Sequence, residues 1–410
     1  MLYHVRAAVV AAALASAAPV WGQVLTLDDA ITRAIDASPD GAAATARLDT
    51  LDAARAAADT RPSGAIDLLA ENLGVGGPEL NRQIQVGATY NQVIERGGKR
   101  SARVGVASAE MDIARAEALV RRLDTATAVQ RLYIEVQSSE AAITIAQERI
   151  AIAEQLVREV GRRVAEARDP LFAGTRARTQ LAEAKVDLEL AQHARDAALT
   201  RLVGLWGDSA QGIAVTKADF LAVTEASGAQ EPAGVDLAVF EARRRRADAQ
   251  LTLQRANART DPTWSAGPRY IGTGDVAVVG GLSIPLGNKA LNRANISRAE
   301  AEGRQVEADL AVERYKKRQQ IGHAAERVTE TAHEVELIRD KVIPGAEQTL
   351  AQVRAGYNRG GFTFLDVSTA QTALHDARVR MVRAATLHHE ARVDLDRLTG
   401  RFAPIIQDAR

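Results

Sequence analysis

The sequence predicts an α+β membrane protein with an internal two-fold repeat, in which long coiled-coil helices are combined with short transmembrane strand hairpins. Three observations support this fold class. The 410 residues are 46% hydrophobic but only 4% aromatic, and much of the apolar fraction is alanine, which favours long helices that approach closely. Apolar residues recur every seven positions over one long segment. Other segments alternate apolar and polar residues, as half-buried strands do.

Charge and cysteine content exclude several kinds of protein. The chain has 52 Lys and Arg residues against 52 Asp and Glu residues, so its formal net charge is zero. This balance argues against a nucleic-acid-binding protein, which would carry a basic surface. There is no cysteine, so disulfides, cysteine zinc sites, thiol catalysis and a lipid-modified N-terminal cysteine are excluded.

The first 22 residues are predicted to be a secretory signal peptide. A basic residue, Arg6, precedes an apolar run over residues 7–18, and small residues follow it. This order is typical of an export signal, and the run is too short to span a bilayer. A short buried N-terminal helix is the alternative. With no later apolar stretch of transmembrane length, the mature chain is expected to be periplasmic, secreted or an outer-membrane β-barrel.

The chain is predicted to consist of two similar halves. Leu205, Trp206 and Gly207 recur as Leu398, Thr399 and Gly400, a shift of 193 residues. Such self-similarity indicates a duplicated unit. The boundaries that follow are a first repeat over 23–207, a connector over 208–234, a second repeat over 235–401 and a C-terminal tail over 402–410.

Each half is predicted to contain a long helix flanked by shorter ones. In the first half the helices are expected at 27–60, 100–165 and 172–205; in the second they are expected at 235–259, 291–357 and 365–401. The long helix of the first half carries the seven-residue pattern of a coiled coil. Its apolar members are Val129, Val136, Ile143, Ile150, Val157 and Val164.

Strand hairpins are predicted between the first and the long helix of each half, at 63–93 and 262–286. Their alternation fits transmembrane strands. Two hairpins are too few to close a barrel, so several chains must contribute. One set of side chains is expected to face lipid: Ile84, Val86, Tyr90, Val278, Leu282 and Ile284. Another set is expected to face the lumen: Gln85, Thr89 and Asn91.

Three motifs resemble segments of the TolC-like outer-membrane efflux proteins, in particular their heavy-metal (CzcC-like) branch. The segment from Gln92 to Arg103 resembles the family's strand-to-helix signature, and 281–296 resembles the matching segment of the second half. The third motif, 356–371, resembles the turn at the periplasmic end of the family's helical barrel.

The resemblance implies a homotrimer in the outer membrane that extends into the periplasm. Four strands from each protomer would close a twelve-stranded transmembrane β-barrel, and the helices would form a long α-helical barrel. The protein would be the exit duct of a tripartite efflux pump, docked to a periplasmic adaptor (membrane fusion protein) and an inner-membrane RND transporter. The branch implies divalent heavy-metal cations as the exported substrate. A duct for drugs or another cargo is the alternative within the family.

The resemblance also implies a gate at the periplasmic tip, built in the family from a Tyr, an Arg and two Asp. Tyr357 and Asp366 match two of these positions, whereas Phe362 stands in place of the Arg and Thr369 in place of the second Asp. The gate is therefore either held by hydrogen bonds of Tyr357 and Asp366 or narrowed apolarly by Phe362 or Phe364.

Other candidate motifs do not predict catalysis or a bound cofactor. The segment around Gly97, Gly98 and Lys99 lacks the residue spacing of a phosphate-binding loop. It is instead interpreted as a turn from a strand into a helix, as is Gly287 in the second half. His388 and His389 diverge by about 100° on a helix and cannot chelate one metal ion together. No enzyme active site, cofactor or metal site is predicted, and the alternative to a duct is a periplasmic adaptor or structural coiled-coil protein.

Overall fold

A computed structural model describes residues 23–73, 82–216, 220–224 and 231–408. The predicted signal peptide and most of the loop of the first strand hairpin lie outside these residues. The described chain is α+β, as predicted. It divides into two compact units, the first from residues within 1–33, 129–223 and 335–386, and the second from residues within 34–128, 224–334 and 387–410.

The helices of the first half are α1 (Leu27–Ala37), α2 (Pro39–Ala58), α3 (Lys99–Ala165) and α4 (Leu171–Gly204). The second half contains α5 (Gly234–Asn257), α6 (Lys289–Leu337), α7 (Ile343–Arg359) and α8 (Phe364–Thr399). A short helix α9 (Ala403–Asp408) follows. No helix within the described residues is both long and apolar enough to cross a membrane.

The coiled-coil positions of α3 face other helices, as the heptad pattern predicts. Val129 and Val136 are fully buried, and the burial continues through Ala146, Ala153 and Val160 at the complementary heptad positions. The small side chains at these later positions allow neighbouring helices to approach closely. The other members of the predicted set, Ile143, Ile150, Val157 and Val164, are half-buried, so the buried seam lies nearer the complementary positions in this part of the helix.

The helix expected at 27–60 is instead two helices, which corrects the prediction. The backbone of Ser38 is extended, and its hydroxyl accepts a hydrogen bond from the backbone N–H of Asp40. Pro39 has no N–H group to continue a helix and is favoured in the first turn of a new one. The Ser-Pro pair therefore ends α1 and starts α2.

The second long helix is interrupted by a π-helical segment, Ile338–Val342, between α6 and α7. The N–H of Ile343 donates to the carbonyl of Ile338, five residues back. Pro344 follows directly, and a proline ring would clash with the carbonyl four residues earlier in a regular α-helix. One wider turn removes this clash, so the helix continues without a break to Arg359.

The second unit contains a four-stranded antiparallel sheet. Its strands are β2 (Ala65–Glu71), β3 (Gln85–Val93), β5 (Thr263–Ile271) and β6 (Val276–Ser283), in the order β2-β3-β5-β6. Both predicted hairpins are present, and the two halves of the chain meet where β3 pairs with β5. Strands β2 and β6 form the outer edges of this sheet.

The register divides the sheet into an apolar face and a polar face. The apolar face carries Ile66, Leu68, Val86, Ala88, Tyr90, Trp264, Ala266, Pro268, Tyr270, Val276, Val278 and Leu282. The opposite face carries all the charged residues of the sheet and most of its polar ones, mixed with some apolar residues: Asp67, Leu69, Glu71, Gln85, Thr89, Asn91, Val93, Thr263, Ser265, Arg269, Ile271, Ala277, Val279 and Ser283. Val278 is 85% exposed and Leu68 is 80% exposed. An apolar surface of this kind is what a lipid-facing sheet requires.

The connector and the C-terminal tail both contain regular structure that the sequence patterns did not indicate. Within the connector, β4 (Ile213–Val215) pairs in parallel with β1 (Gln23–Leu25). In the tail, Phe402 and Ile406 are buried. The Tyr133 hydroxyl fixes the small sheet by donating to the carbonyl of Leu25 at 2.9 Å.

Candidate functional site

Two helix-ending turns in the first unit share one backbone motif. The first turn (residues 166–170) joins α3 to α4, and the second turn (residues 360–363) joins α7 to α8. In each, a left-handed residue ends the helix: Ala167 at φ 58° and Gly360 at φ 88°. The N–H of Arg168 donates to the carbonyl of Arg163 at 2.8 Å, and the N–H of Gly361 donates to the carbonyl of Gly356 at 2.9 Å. Both turns are therefore Schellman motifs.

A polar cluster links the first turn to the helix that precedes the second. This tip cluster consists of Arg163, Asp169 and Tyr357. The Arg163 guanidinium donates to both carboxylate oxygens of Asp169, at 2.9 and 3.2 Å, and to the carbonyl of Tyr357 at 2.8 Å. The Tyr357 hydroxyl donates to the same carboxylate. The guanidinium carbon also lies 4.3 Å from the centre of the Tyr357 ring.

The tip cluster is largely withdrawn from solvent. Tyr357 is fully buried, and the side chains of Arg163 and Asp169 are 12% and 11% exposed. Burial by itself would raise the pKa of Asp169, but the hydrogen bonds from Arg163 and Tyr357 hold this pKa below its usual value. Burial and the Asp169 carboxylate raise the pKa of Tyr357. At neutral pH the cluster therefore contains a carboxylate, a guanidinium and a neutral phenol.

Asp366 has its hydrogen-bond partners within the second turn. Its carboxylate accepts from the backbone N–H of Thr363 at 2.8 Å and from the Thr363 hydroxyl at 2.7 Å. The backbone N–H of Asp366 in turn approaches the Thr363 hydroxyl at 3.4 Å. This reciprocal arrangement is a capping box at the start of α8. These hydrogen bonds lower the pKa of Asp366.

The two phenylalanines of the predicted gate lie in different environments. Phe364 is 8% exposed and belongs to the apolar core of the unit. Phe362 is 47% exposed, and its ring lies where a side chain of Gly356 would be. Between the two, Phe362 is the one available to face a pore. Thr369, also at a gate position of the family, is exposed.

Sequence reasoning missed Arg163 and Asp169, because their counterparts in the second half of the repeat carry no charge. The shift of 193 residues carries Arg163 onto Gly356 and Asp169 onto Phe362. In both turns, a turn residue contacts a residue in the last part of the preceding helix. The contact is the Asp169–Arg163 ion pair in the first turn and the Phe362 ring against Gly356 in the second. In this structure the cation beside Tyr357 is Arg163 of α3, and position 362 holds a phenylalanine.

The predicted strand-to-helix turns lie in the second unit. Gly97 and Gly98 both have positive φ, 78° and 74°, which a residue without a side chain adopts readily. Lys99 begins α3 and pairs with Asp261 at 2.6 Å. The same carboxyl group accepts from the backbone N–H of Arg96 at 2.9 Å. Gly287 precedes α6 at the corresponding place in the second half.

Among the described residues, no group of three or more His, Cys, Asp or Glu side chains is placed to hold a metal ion. His388 is buried, and its Nδ1 lies 3.3 Å from the carbonyl of Val328. Burial lowers the pKa of His388.

The chain is similar to known efflux proteins. Residues 30–208 match the family model for outer membrane efflux proteins. The chain is 25% identical over 385 residues to the cobalt-zinc-cadmium resistance protein CzcC of Cupriavidus metallidurans, covering 92% of this chain and 90% of that protein. It is 31% identical over 290 residues to the nickel and cobalt resistance protein CnrC of the same organism, covering 66% of this chain and 67% of that protein.

Solved structures agree on the fold. The outer membrane protein VceC of Vibrio cholerae superposes with a TM-score of 0.66 at 20% identity, covering 91% of this chain and 96% of that one. The fold is that of the TolC-like outer-membrane channels, which confirms the resemblance found in the sequence. The match to the outer membrane efflux model assigns the protein to the outer membrane. Together with the similarity to CnrC and the family model, this shows that the chain belongs to the outer membrane efflux protein family.

Proposed function

We propose that the protein is the exit duct of a tripartite pump that exports divalent heavy-metal cations. The observation that carries the proposal is the similarity to a cobalt-zinc-cadmium resistance protein over nine-tenths of both chains. Cations that pass through a duct need no tight binding site in its wall. A duct for drugs is the competing function, because channels of the same fold serve different cargoes.

The duct is proposed to be a homotrimer with a twelve-stranded transmembrane barrel. The four-stranded sheet of one chain ends in two edge strands, β2 and β6. Unpaired backbone groups at such edges are not tolerated in lipid, so closed barrels are required there. Three copies of the sheet give a barrel of twelve strands, with the apolar face toward lipid and the polar face toward the lumen.

The tip cluster is proposed to hold the periplasmic gate closed. Tyr357 and Arg163 join the α7–α8 hairpin to Asp169 in the first turn. Movement of one hairpin away from the other must break the two hydrogen bonds of Tyr357, to Arg163 and to Asp169, whereas the Arg163–Asp169 pair lies within one hairpin. Asp366 stabilises the second turn through its capping box, and Phe362 contributes apolar bulk beside it.

A periplasmic adaptor is the proposed partner at the two turns, and an RND transporter of the inner membrane is the proposed source of cargo. Support for the adaptor comes from exposed apolar side chains that follow the turns. Leu171 is 81% exposed, Phe172 is 66% exposed and Leu365 is 55% exposed. Contiguous exposed apolar side chains are typical of protein-binding surfaces.

Gene deletion with a growth screen tests the proposed cargo. The deletion strain should become sensitive to cobalt, zinc, cadmium or nickel salts, and the wild-type chain should restore growth. A chain that carries a stop codon in place of Lys99 provides the control for the introduced DNA. Sensitivity to antibiotics or detergents without sensitivity to metals would contradict the proposal and favour a drug duct.

A further inference from the structure

The two hairpins of the sheet are related by the internal repeat, but with two slightly different shifts. The segment that leads into the first strand of each hairpin recurs after 200 residues, so that Thr60 corresponds to Thr260 and Pro62 to Pro262. The segment that follows the second strand of each hairpin recurs after 190 residues, so that Gly97 corresponds to Gly287 and Lys99 to Lys289. The first shift therefore carries β2 onto β5, and the second carries β3 onto β6.

The observed pairing of the strands obeys both shifts. In the first hairpin, Ala65 lies opposite Asn91. The two shifts carry this pair onto Ser265 and Gly281, which lie opposite each other in the second hairpin. The repeat is thus accurate to the single residue, and a slip of one position would have turned every side chain to the other face.

The junction between β3 and β5 is the point where one half of the repeat meets the next. Within the chain it pairs Val86 with Tyr270 and Tyr90 with Ala266. Among the described residues, β6 is an outer strand of the four-stranded sheet, and in the proposed trimer the next half belongs to another copy. Applying the same shifts to the junction gives its counterpart between two chains.

We propose that β6 of one chain pairs with β2 of the next in this repeat-related register. Val276 then lies opposite Ala70, Val278 opposite Leu68, and Gly280 opposite Ile66 of the neighbouring chain. The inference rests on the proposed trimer and adds the residue-level register of its three chain junctions.

The faces and the directions of the strands agree with this register. Because successive strands of the sheet are antiparallel, β6 of one chain meets β2 of the next in antiparallel orientation. Val278 and Leu68 both belong to the apolar face, so the junction continues that face without a change of polarity. Their exposure in the single chain, 85% and 80%, marks an edge that lacks its neighbour.

The segment that follows β6 is also uncovered in the single chain. Every residue from 281 to 291 is exposed, whereas most residues from 91 to 95 are half-buried. The second half covers that first segment: the N–H of Ile94 donates to the carbonyl of Pro262 at 2.9 Å, and Lys99 pairs with Asp261. In the proposed junction, the neighbouring chain covers 281–285, the counterpart of 91–95, in the same way.

One difference between the two kinds of junction is electrostatic. The shift of 200 residues relates Arg61 to Asp261. At the junction between chains, the Arg61 guanidinium therefore takes the place that the Asp261 carboxylate has within a chain. Lys289, the counterpart of Lys99, therefore faces Arg61 of the neighbouring chain. The junction within a chain contains the Lys99–Asp261 ion pair, and the junction between chains has no counterpart of it. The junction between chains is therefore the weaker one.

Cysteine cross-linking tests the register, and the natural chain has no cysteine to interfere. The matched pair is Leu68→Cys in one chain and Val278→Cys in another, co-expressed so that only a bond between chains can form. Directly opposite residues of antiparallel strands lie within disulfide range, with Cα atoms about 4.5–5.5 Å apart. The control pair, Ile66→Cys with Val278→Cys, is slipped by two residues on the same face and lies about 7–8 Å apart.

Oxidation of the outer-membrane fraction should give covalent dimers with the matched pair and several-fold fewer with the control pair. Equal or stronger cross-linking of the control pair would overturn the register while leaving the trimer intact, provided that light scattering in detergent still gives the mass of three chains. A monomeric mass would overturn the proposed trimer together with the register.

A charge substitution tests the same junction without cysteine. Arg61→Asp should restore the ion pair with Lys289 and raise the temperature at which the trimer dissociates in detergent. Arg61→Asp combined with Lys289→Ala should lose this gain. A trimer that Arg61→Asp leaves unchanged or weakens would contradict the placement of Arg61 against Lys289.

Discussion

Replacing Asp169 with asparagine should open the proposed gate, because it removes the charge on which the tip cluster depends. The carboxylate accepts two hydrogen bonds from Arg163 and one from Tyr357. An asparagine of the same shape keeps one acceptor oxygen and turns an N–H₂ group toward donors. Arg163 then remains largely buried without its counter-ion.

The size of the effect follows from the burial of the pair. Removing one partner of a fully buried ion pair costs about 3–5 kcal/mol. Here both side chains are almost nine-tenths buried, but residues 166–168 of the same turn are exposed, so water can reach the site. The Arg163–Asp169 pair lies within one hairpin and persists when the channel opens, so the part that favours the closed state is the hydrogen bond that the carboxylate accepts from Tyr357. A hydrogen bond to a charged group contributes about 1.5–3 kcal/mol. We therefore expect a loss of about 2 kcal/mol from the closed state, which changes the ratio of open to closed channels by roughly 30-fold.

Single-channel recording in planar bilayers measures this ratio directly. Asp187→Asn is the matched control, because Asp187 pairs with Arg149 and likewise joins α4 to α3 without contacting α7. The control should leave the opening probability unchanged. Tyr357→Phe should open the channel less than Asp169→Asn, and the double substitution should be less than additive. Equal behaviour of Asp169→Asn and Asp187→Asn would refute the reasoning.

Three further outcomes are expected. Because hydrogen bonds lower the pKa of Asp169 below 3.8, its contribution is present above that pH and is lost as the pH falls through the lower folded value. Channel opening should therefore be constant from about pH 5 to about pH 8 and should rise only in stronger acid; a rise near pH 6 would point to a different group. Val86→Arg should destabilise the trimer by roughly 2–4 kcal/mol if this residue lies near the bilayer midplane, whereas Gln85→Arg should do so much less; equal loss in thermal dissociation assays would reverse the assignment of the faces. Asp366→Ala should raise conductance, but less than Tyr357→Phe, because it removes only the cap of α8, and unchanged conductance would remove this residue from the gate.

Periodic features of the molecule could be predicted from the sequence, since a period reports directly on burial. The seven-residue pattern of α3 and the alternation in β3 and β6 each mark one face over many residues, so a single exception does not obscure them. The interruptions were harder to predict. Ser38-Pro39 and Pro344 are local signals, but whether a proline ends a helix or only widens one turn depends on the packing around it.

The tip cluster could not be predicted because its members are distant in sequence. Arg163 and Asp169 are separated from Tyr357 by almost two hundred residues, and only the fold brings them together. The resemblance to the family directed attention to positions 362 and 366, where the family carries charged residues. The charge that contacts Tyr357 in this chain comes instead from the first half of the repeat.

The two Schellman turns imply that the two hairpin ends respond differently to temperature. The contact in the first turn is an ion pair between Arg163 and Asp169, which is largely buried, so dissolved salt screens it only weakly. The contact in the second turn is the Phe362 ring against Gly356, and apolar contacts of this kind weaken on cooling. Low temperature should therefore loosen the second hairpin end and leave the first in place, although the backbone of the two turns is the same.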